Sequence, residues 1–104
     1  MAKARRAALI TGAGRNIGRA CALGLAADGF NVVVNGSSDR AACEKVAREA
    51  RKLGVKALVV MGDVGKPADC KRIAGMAIKT FGAIDVLVNN VKKSHHYLHG
   101  LTTL

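Results

Sequence analysis

Four short apolar runs alternate with three longer stretches of helical period over residues 7–88 of this chain. Residues 7–11 are apolar up to Thr11 and run into glycines, which predicts a buried first strand and not a helix. A helix follows over about residues 17–28, stopped by Gly29. Val32, Val33 and Val34 form a continuous β-branched run, the mark of a parallel strand covered on both faces, and Asn35-Gly36-Ser37-Ser38 reads as the turn that ends it. Ala42, Val46, Ala50 and Leu53 then recur at helical spacing. Glu44 with Arg48 and Lys45 with Glu49 are expected as outer i,i+4 pairs, and Gly54 is the stop. Residues 57–61 make a third apolar run. Cys70, Ile73, Ala74, Ala77 and Phe81 mark the buried stripe of a helix that begins at Pro67 and ends at Gly82, and residues 84–88 supply a fourth strand. The order βαβαβαβ with short connections implies parallel strands joined by right-handed crossovers. The expected fold is therefore α/β, the N-terminal βαβαβαβ portion of a doubly wound parallel sheet ordered 3-2-1-4, a partial domain over residues 5–90. Residues 91–104 keep no amphipathic period and read as a loop or frayed tail.

Composition agrees with one globular unit. The 104 residues suffice for a core, and half are hydrophobic, with only Phe30, Phe81 and Tyr97 as aromatics. The formal charge of +10 favours anionic ligands. Its carriers are scattered along the chain and fall mostly on helix faces, without the aromatic interleaving or zinc-finger spacing of a nucleic-acid binder, so that partner is set aside. Cys21, Cys43 and Cys70 are odd in number and far apart, which reads as buried thiols in a reduced compartment. The basic start is cut off from signal-peptide character by Thr11, Gly12 and Arg15. No stretch has the length of a membrane span, and a cytoplasmic location is expected. His95, His96 and His99 lack a third ligand nearby, so no metal is assigned.

The chemistry sits at the first strand-to-helix turn, Thr11-Gly12-Ala13-Gly14-Arg15-Asn16-Ile17-Gly18. Backbone amides and the helix dipole at such a place can hold a pyrophosphate. Gly12 permits the tight turn, Gly14 leaves room for the nucleotide, and Gly18 lets the helix pack closely on the strand. This segment, together with Asp85-Val86-Leu87-Val88-Asn89-Asn90 at the fourth strand, resembles the short-chain dehydrogenase/reductase family, whose marks are Thr-Gly-x-x-x-Gly-x-Gly and a later Asn-Asn-Ala-Gly. The likeness covers about residues 5–90 and is similar in kind to the ketoacyl (3-oxoacyl-acyl-carrier-protein) reductases. It implies a Rossmann-like fold and a nicotinamide dinucleotide as partner. Gly12, Gly14, Arg15, Asn16, Ile17 and Gly18 would lie along the diphosphate, Asp63 and Val64 at the adenine, and Asn90 on the ribose side. Two departures stand out. Asn16 replaces the middle glycine of the fingerprint, a substitution that left-handed backbone tolerates, and Val91-Lys92 replaces Ala-Gly.

An NAD enzyme places an acid at the end of the second strand for the ribose 2′-hydroxyl, whereas a 2′-phosphate calls for cations and neutral donors. Arg15, Ser37 and Ser38, with Arg40 nearby, favour NADP over NAD, and Asp39 reads as a helix cap. The resemblance also implies a catalytic serine and a Tyr-x-x-x-Lys pair that exchange a proton with a small carbonyl or alcohol substrate. Here Tyr97 is followed four residues later by Leu101, and Ser94 stands too close to it, so no catalytic residue is assigned. The chain thus reads as a truncated, NADP(H)-binding portion of an oxidoreductase, inactive alone. The alternative is a non-catalytic nucleotide-binding or interaction fragment, with homo-oligomerisation through an exposed sheet edge.

Overall fold

An apolar strand with no polar face must be covered from both sides, and the sheet is built accordingly. The computed structural model describes residues 5–90. Within them run β1 (Ala7–Ile10), α1 (Asn16–Ala27), β2 (Asn31–Gly36), α2 (Arg40–Lys52), β3 (Ala57–Met61), α3 (Pro67–Phe81) and β4 (Val86–Val88). Every pairing is parallel and the strand order is β3-β2-β1-β4, the Rossmann-like arrangement that the alternation of runs predicts. Neighbouring side chains alternate across the sheet. Ala8, Ile10, Val32 and Val34 meet Ala22 and Ala26 of α1 and Val46, Ala47 and Ala50 of α2. Leu9, Val33 and Val60 point the other way, onto Ile73 and Ala77 of α3. Full burial of one Val, Leu or Ile side chain contributes about 1.5–3 kcal/mol, so the two layers together supply most of the drive to fold. The alanines of α1 and α2 let those helices approach the strands closely.

Helix ends fall where the glycines predict. Gly29 and Gly54 follow α1 and α2, and Gly82 closes α3 in the left-handed region at φ 85°, donating its N–H to the Ile78 carbonyl at 2.7 Å. Four local expectations are corrected. β2 runs on through Asn35 and Gly36, because they pair with Val60 and Met61 of β3, so the turn begins only at Ser37. Leu53 lies past the end of α2 and is 50% exposed, outside the buried stripe. β4 is shorter than the apolar run. Asp85, just before it, accepts the Ala7 N–H on Oδ2 at 2.8 Å and donates its own N–H to the Ala7 carbonyl at 2.8 Å, clamping the start of β1. Finally, Glu44 pairs with Arg40 at 3.6 Å, and Glu49 is taken by Arg19 of α1 at 2.7 Å, in place of the pairs expected along α2. A guanidinium that reaches a carboxylate with two nitrogens wins over a single flexible lysine. No helix among the described residues is long and apolar enough to cross a membrane.

Candidate functional site

The order β3-β2-β1-β4 turns back at β1, and in open sheets of this kind the crevice at the carboxyl ends of the strands is where ligands settle. Side chains tie those ends together here. The Thr11 N–H donates to the Val88 carbonyl at 3.0 Å, and the Thr11 Oγ1 accepts the Asn90 N–H at 2.9 Å. Asn90 Nδ2 donates to the Gly12 carbonyl at 3.1 Å. On the other side the Ala13 N–H donates to the Asn35 carbonyl at 2.8 Å, while Asn35 Nδ2 reaches the carbonyls of Val60 at 2.9 Å and Gly62 at 3.3 Å. All four strands thereby share one fastened rim.

Out of this rim rises the glycine turn. Gly12 takes φ 58°, and a Cβ there would stand 2.5 Å from the Asn90 carbonyl oxygen. A Cβ on Gly18 would strike the Gly12 carbonyl and come within 2.8 Å of Asn90 Nδ2, so α1 passes hard against the turn. Asn16 occupies the left-handed region at φ 55°, so it supplies the backbone geometry of the glycine it replaces. Arg15 is the N-cap residue of α1 and its side chain caps nothing. Among the described residues, the amides of residues 14–18 have no hydrogen-bond acceptor. A helix start with open donors is an anion site by its electrostatics alone.

A cleft of about 410 Å³ lies in front of this turn, within the size range of small-ligand pockets. Gly12, Gly14 and Arg15 line it at the turn, Ser37 and Ser38 line it beyond β2, Asp63 and Val64 beyond β3, and Asn90 beyond β4. The other three candidate residues do not line it. Asn16 is exposed, Ile17 is 70% exposed, and Gly18 is buried behind the turn. Ser94, Tyr97 and the three histidines lie outside the described residues.

The sequence reading missed several lining groups. Asn35 and Gly36 enter because β2 is longer than its valine run, and Gly62 because β3 hands its chain across to them. Cys43 enters from α2 and forms part of the cleft wall. A Cβ on Gly14 would stand 3.4 Å from its sulfur, and one on Gly36 would collide with it. Burial first, then the nearby Asp39 and Glu44, push this thiol above its ordinary value, so it is a neutral packing group rather than a nucleophile. The Cys70 thiol, raised likewise by burial and then by Asp63 and Asp69, donates to the Val64 carbonyl at 2.8 Å and steadies the β3 exit. Asp39 is the helix cap expected of it, accepting the Ala42 N–H on Oδ1 at 3.0 Å, but it also faces the cleft. Arg40 turns away to Glu44 and is not a lining residue.

The family profile described as short chain dehydrogenase matches residues 6–97. The chain belongs to the short-chain dehydrogenase family. Among curated short-chain dehydrogenases it is 44% identical over 87 residues to the 3-oxoacyl-[acyl-carrier-protein] reductase of Staphylococcus epidermidis, covering 82% of this chain and 35% of that protein. It is 45% identical over 83 residues to the L-rhamnose 1-dehydrogenase (NADP(+)) of Thermoplasma acidophilum, covering 80% of this chain and 33% of that protein. Of solved structures, the hydroxysteroid dehydrogenase of Escherichia coli superposes with a TM-score of 0.80 at 34% identity, over 85% of this chain and 37% of the other. This short-chain dehydrogenase sequence thus spans about a third of the length of such relatives, and the residues matched by the family profile, 6–97, include the whole rim and glycine turn.

Proposed function

We propose that this chain is the NADP(H)-binding portion of a short-chain oxidoreductase that moves hydride between NADP(H) and a carbonyl/alcohol pair. The observation that carries the reading is the uncapped start of α1, whose amides have no acceptor among the described residues, with Gly14 and Arg15 at that start lining the cleft. The residues fit a dinucleotide: the glycines let the turn pack hard against α1 and Asn90 without side chains in the way, and N–H donors at the turn with no acceptor suit a diphosphate. Gly12, Gly14, Arg15, Asn16, Ile17 and Gly18 would hold the diphosphate region, Ser37 and Ser38 a 2′-phosphate, Asp63 and Val64 the adenine, and Asn90 the ribose side. Bound nicotinamide supplies or accepts the hydride. The chain's own part is to position the coenzyme, since the sequence holds no Tyr-x-x-x-Lys to move the proton. Support for NADP over NAD comes from the cation and two hydroxyls along one wall of the cleft, and from the coenzyme named for the Thermoplasma relative.

Isothermal titration with NADPH and NADH tests the reading. NADPH is expected to bind more tightly, and a tenfold advantage for NADH would overturn the choice of coenzyme. NADPH oxidation with a panel of ketones tests the division of labour. Binding without turnover is expected, and turnover by this chain alone would refute it.

A further inference from the structure

Among the described residues β3 is an edge strand, paired with β2 alone. Its sequence, Ala57-Leu58-Val59-Val60-Met61, is apolar throughout and holds no charge, proline or glycine, the composition that pairs most readily with another strand. The Val32 N–H donates to the Lys56 carbonyl at 3.0 Å, and the Gly62 N–H donates to the Gly36 carbonyl at 2.9 Å. Backbone polar groups of successive residues in a parallel strand face opposite sides, so those of Ala57, Val59 and Met61 point outward, away from β2. A groove lined in part by Val55, Leu58 and Phe81 continues this edge at its Ala57 end. The strand thus has every feature of a docking edge except protection of its own.

Protection comes from other elements. Arg51 Nη2, at the end of α2, donates to the Ala57 carbonyl at 2.8 Å, and Arg72 Nη2, in α3, donates to the Met61 carbonyl at 2.7 Å. These helices pack on opposite faces of the sheet, so the edge is covered from both sides, one guanidinium at each end. Both contacts are exposed, and water would satisfy the same carbonyls in their absence. Gly62 makes room for the second contact, since a Cβ there would stand 2.6 Å from Arg72 Nη2, and Asp69 Oδ1 steadies that nitrogen at 3.9 Å. We propose that Arg51 and Arg72 are edge guards, which keep β3 of one chain from pairing with β3 of a second copy. A second copy is the partner this strand fits, because an uncharged apolar segment is complementary to itself. To reach the Ala57 and Met61 carbonyls an incoming strand must break both charge-assisted hydrogen bonds, and a two-fold pairing would crowd the guanidiniums of both copies together. Between the guards only the Val59 carbonyl lacks a side-chain donor among the described residues, which is too little for a ladder.

Arg51→Met, Arg72→Met and the double variant keep an aliphatic stem while removing the donors. Self-association is measured by sedimentation velocity over a concentration series, engagement of the edge by hydrogen exchange at the Val59 amide, and helix content by circular dichroism. In the wild type, Val59 exchange is expected to be independent of concentration. The double variant is expected to associate about tenfold more tightly than the wild type, with Val59 exchange slowing as concentration rises, and each single variant by less. The proposal is overturned if the folded double variant associates no more tightly, or if it does so while Val59 exchange stays independent of concentration, which would put the contact elsewhere. Concentration-dependent slowing at Val59 in the wild type overturns it too, because the edge would then pair with its guards in place. Loss of helix content in all three variants does the same, since the arginines would be supports of the fold and not guards of its edge.

Discussion

At the scale of single residues, two glycines of α1 with the same chemistry should respond oppositely to a methyl group. Gly18 has no room, since a Cβ would meet the Gly12 carbonyl, so Gly18→Ala is expected to cost about 1–3 kcal/mol in urea unfolding and to weaken NADPH binding. Gly24 faces solvent with nothing within 4 Å, and Gly24→Ala is expected to stabilise by about 0.5–1 kcal/mol because alanine loses less backbone freedom in a helix. A matched loss in both variants would show that the close approach at Gly18 is not what matters. The thiols offer a second residue-scale check. Cys43 and Cys70 are buried and hold their protons more tightly than ordinary thiols, whereas Cys21 is only half-buried. Alkylation of the native protein, mapped by mass spectrometry, is expected to reach Cys21 first, and NADPH is expected to slow Cys43 further. The glycines were legible in the sequence because their spacing and the strand before them announce the turn. The role of Cys43 was not, since its place in the wall depends on how α2 lies over Gly14 and Gly36.

At the scale of elements, α1 and α2 are held side by side by the two-pronged contact of Arg19 with Glu49, at 2.7 and 3.2 Å. The guanidinium holds the Glu49 carboxyl below the usual carboxylate range, and the same contact raises Arg19. A carboxylate whose folded pKa is depressed adds stability above its unfolded pKa and loses that addition as pH falls through the folded value. The stability gap between wild type and Glu49→Gln, measured by denaturant unfolding, is therefore expected at neutral pH and should close on acidification. A gap that persists in acid would mean packing rather than charge is responsible. No local pattern could have named this pair. The expected partners lay four residues apart on one helix, whereas Arg19 and Glu49 stand 30 residues apart and meet only once both helices lie on the same face of the sheet. Strand order, by contrast, followed from short connections and continuous apolar runs, because those features restrict topology before any side chain is placed. Asn35 and Gly36 were misread as turn because turn-prone residues yield to a ladder when a neighbouring strand offers them partners, as Val60 and Met61 do.

Across the whole molecule the charge is lopsided with respect to the site, a cationic body surrounding a cleft whose own lining is nearly balanced. Long-range attraction for a dinucleotide should then be general, while discrimination between coenzymes rests on contacts a few ångströms long. Raising ionic strength from about 0.05 to about 0.3 M is expected to weaken NADPH more than NADH, as the extra phosphate carries more of the screened attraction. Equal slopes in calorimetric titrations would contradict a phosphate seated near Arg15.

The lacing of the strand ends has its own outcome for the thermodynamics of occupancy. Thr11, Asn35 and Asn90 bind the four carboxyl termini of the sheet to one another through their own side chains and amides. A visitor to that ledge finds its seat already assembled and need not freeze a wandering loop. Heat released on association should therefore come with little change in hydrogen exchange at these amides, which ought to open only when the sheet itself comes apart.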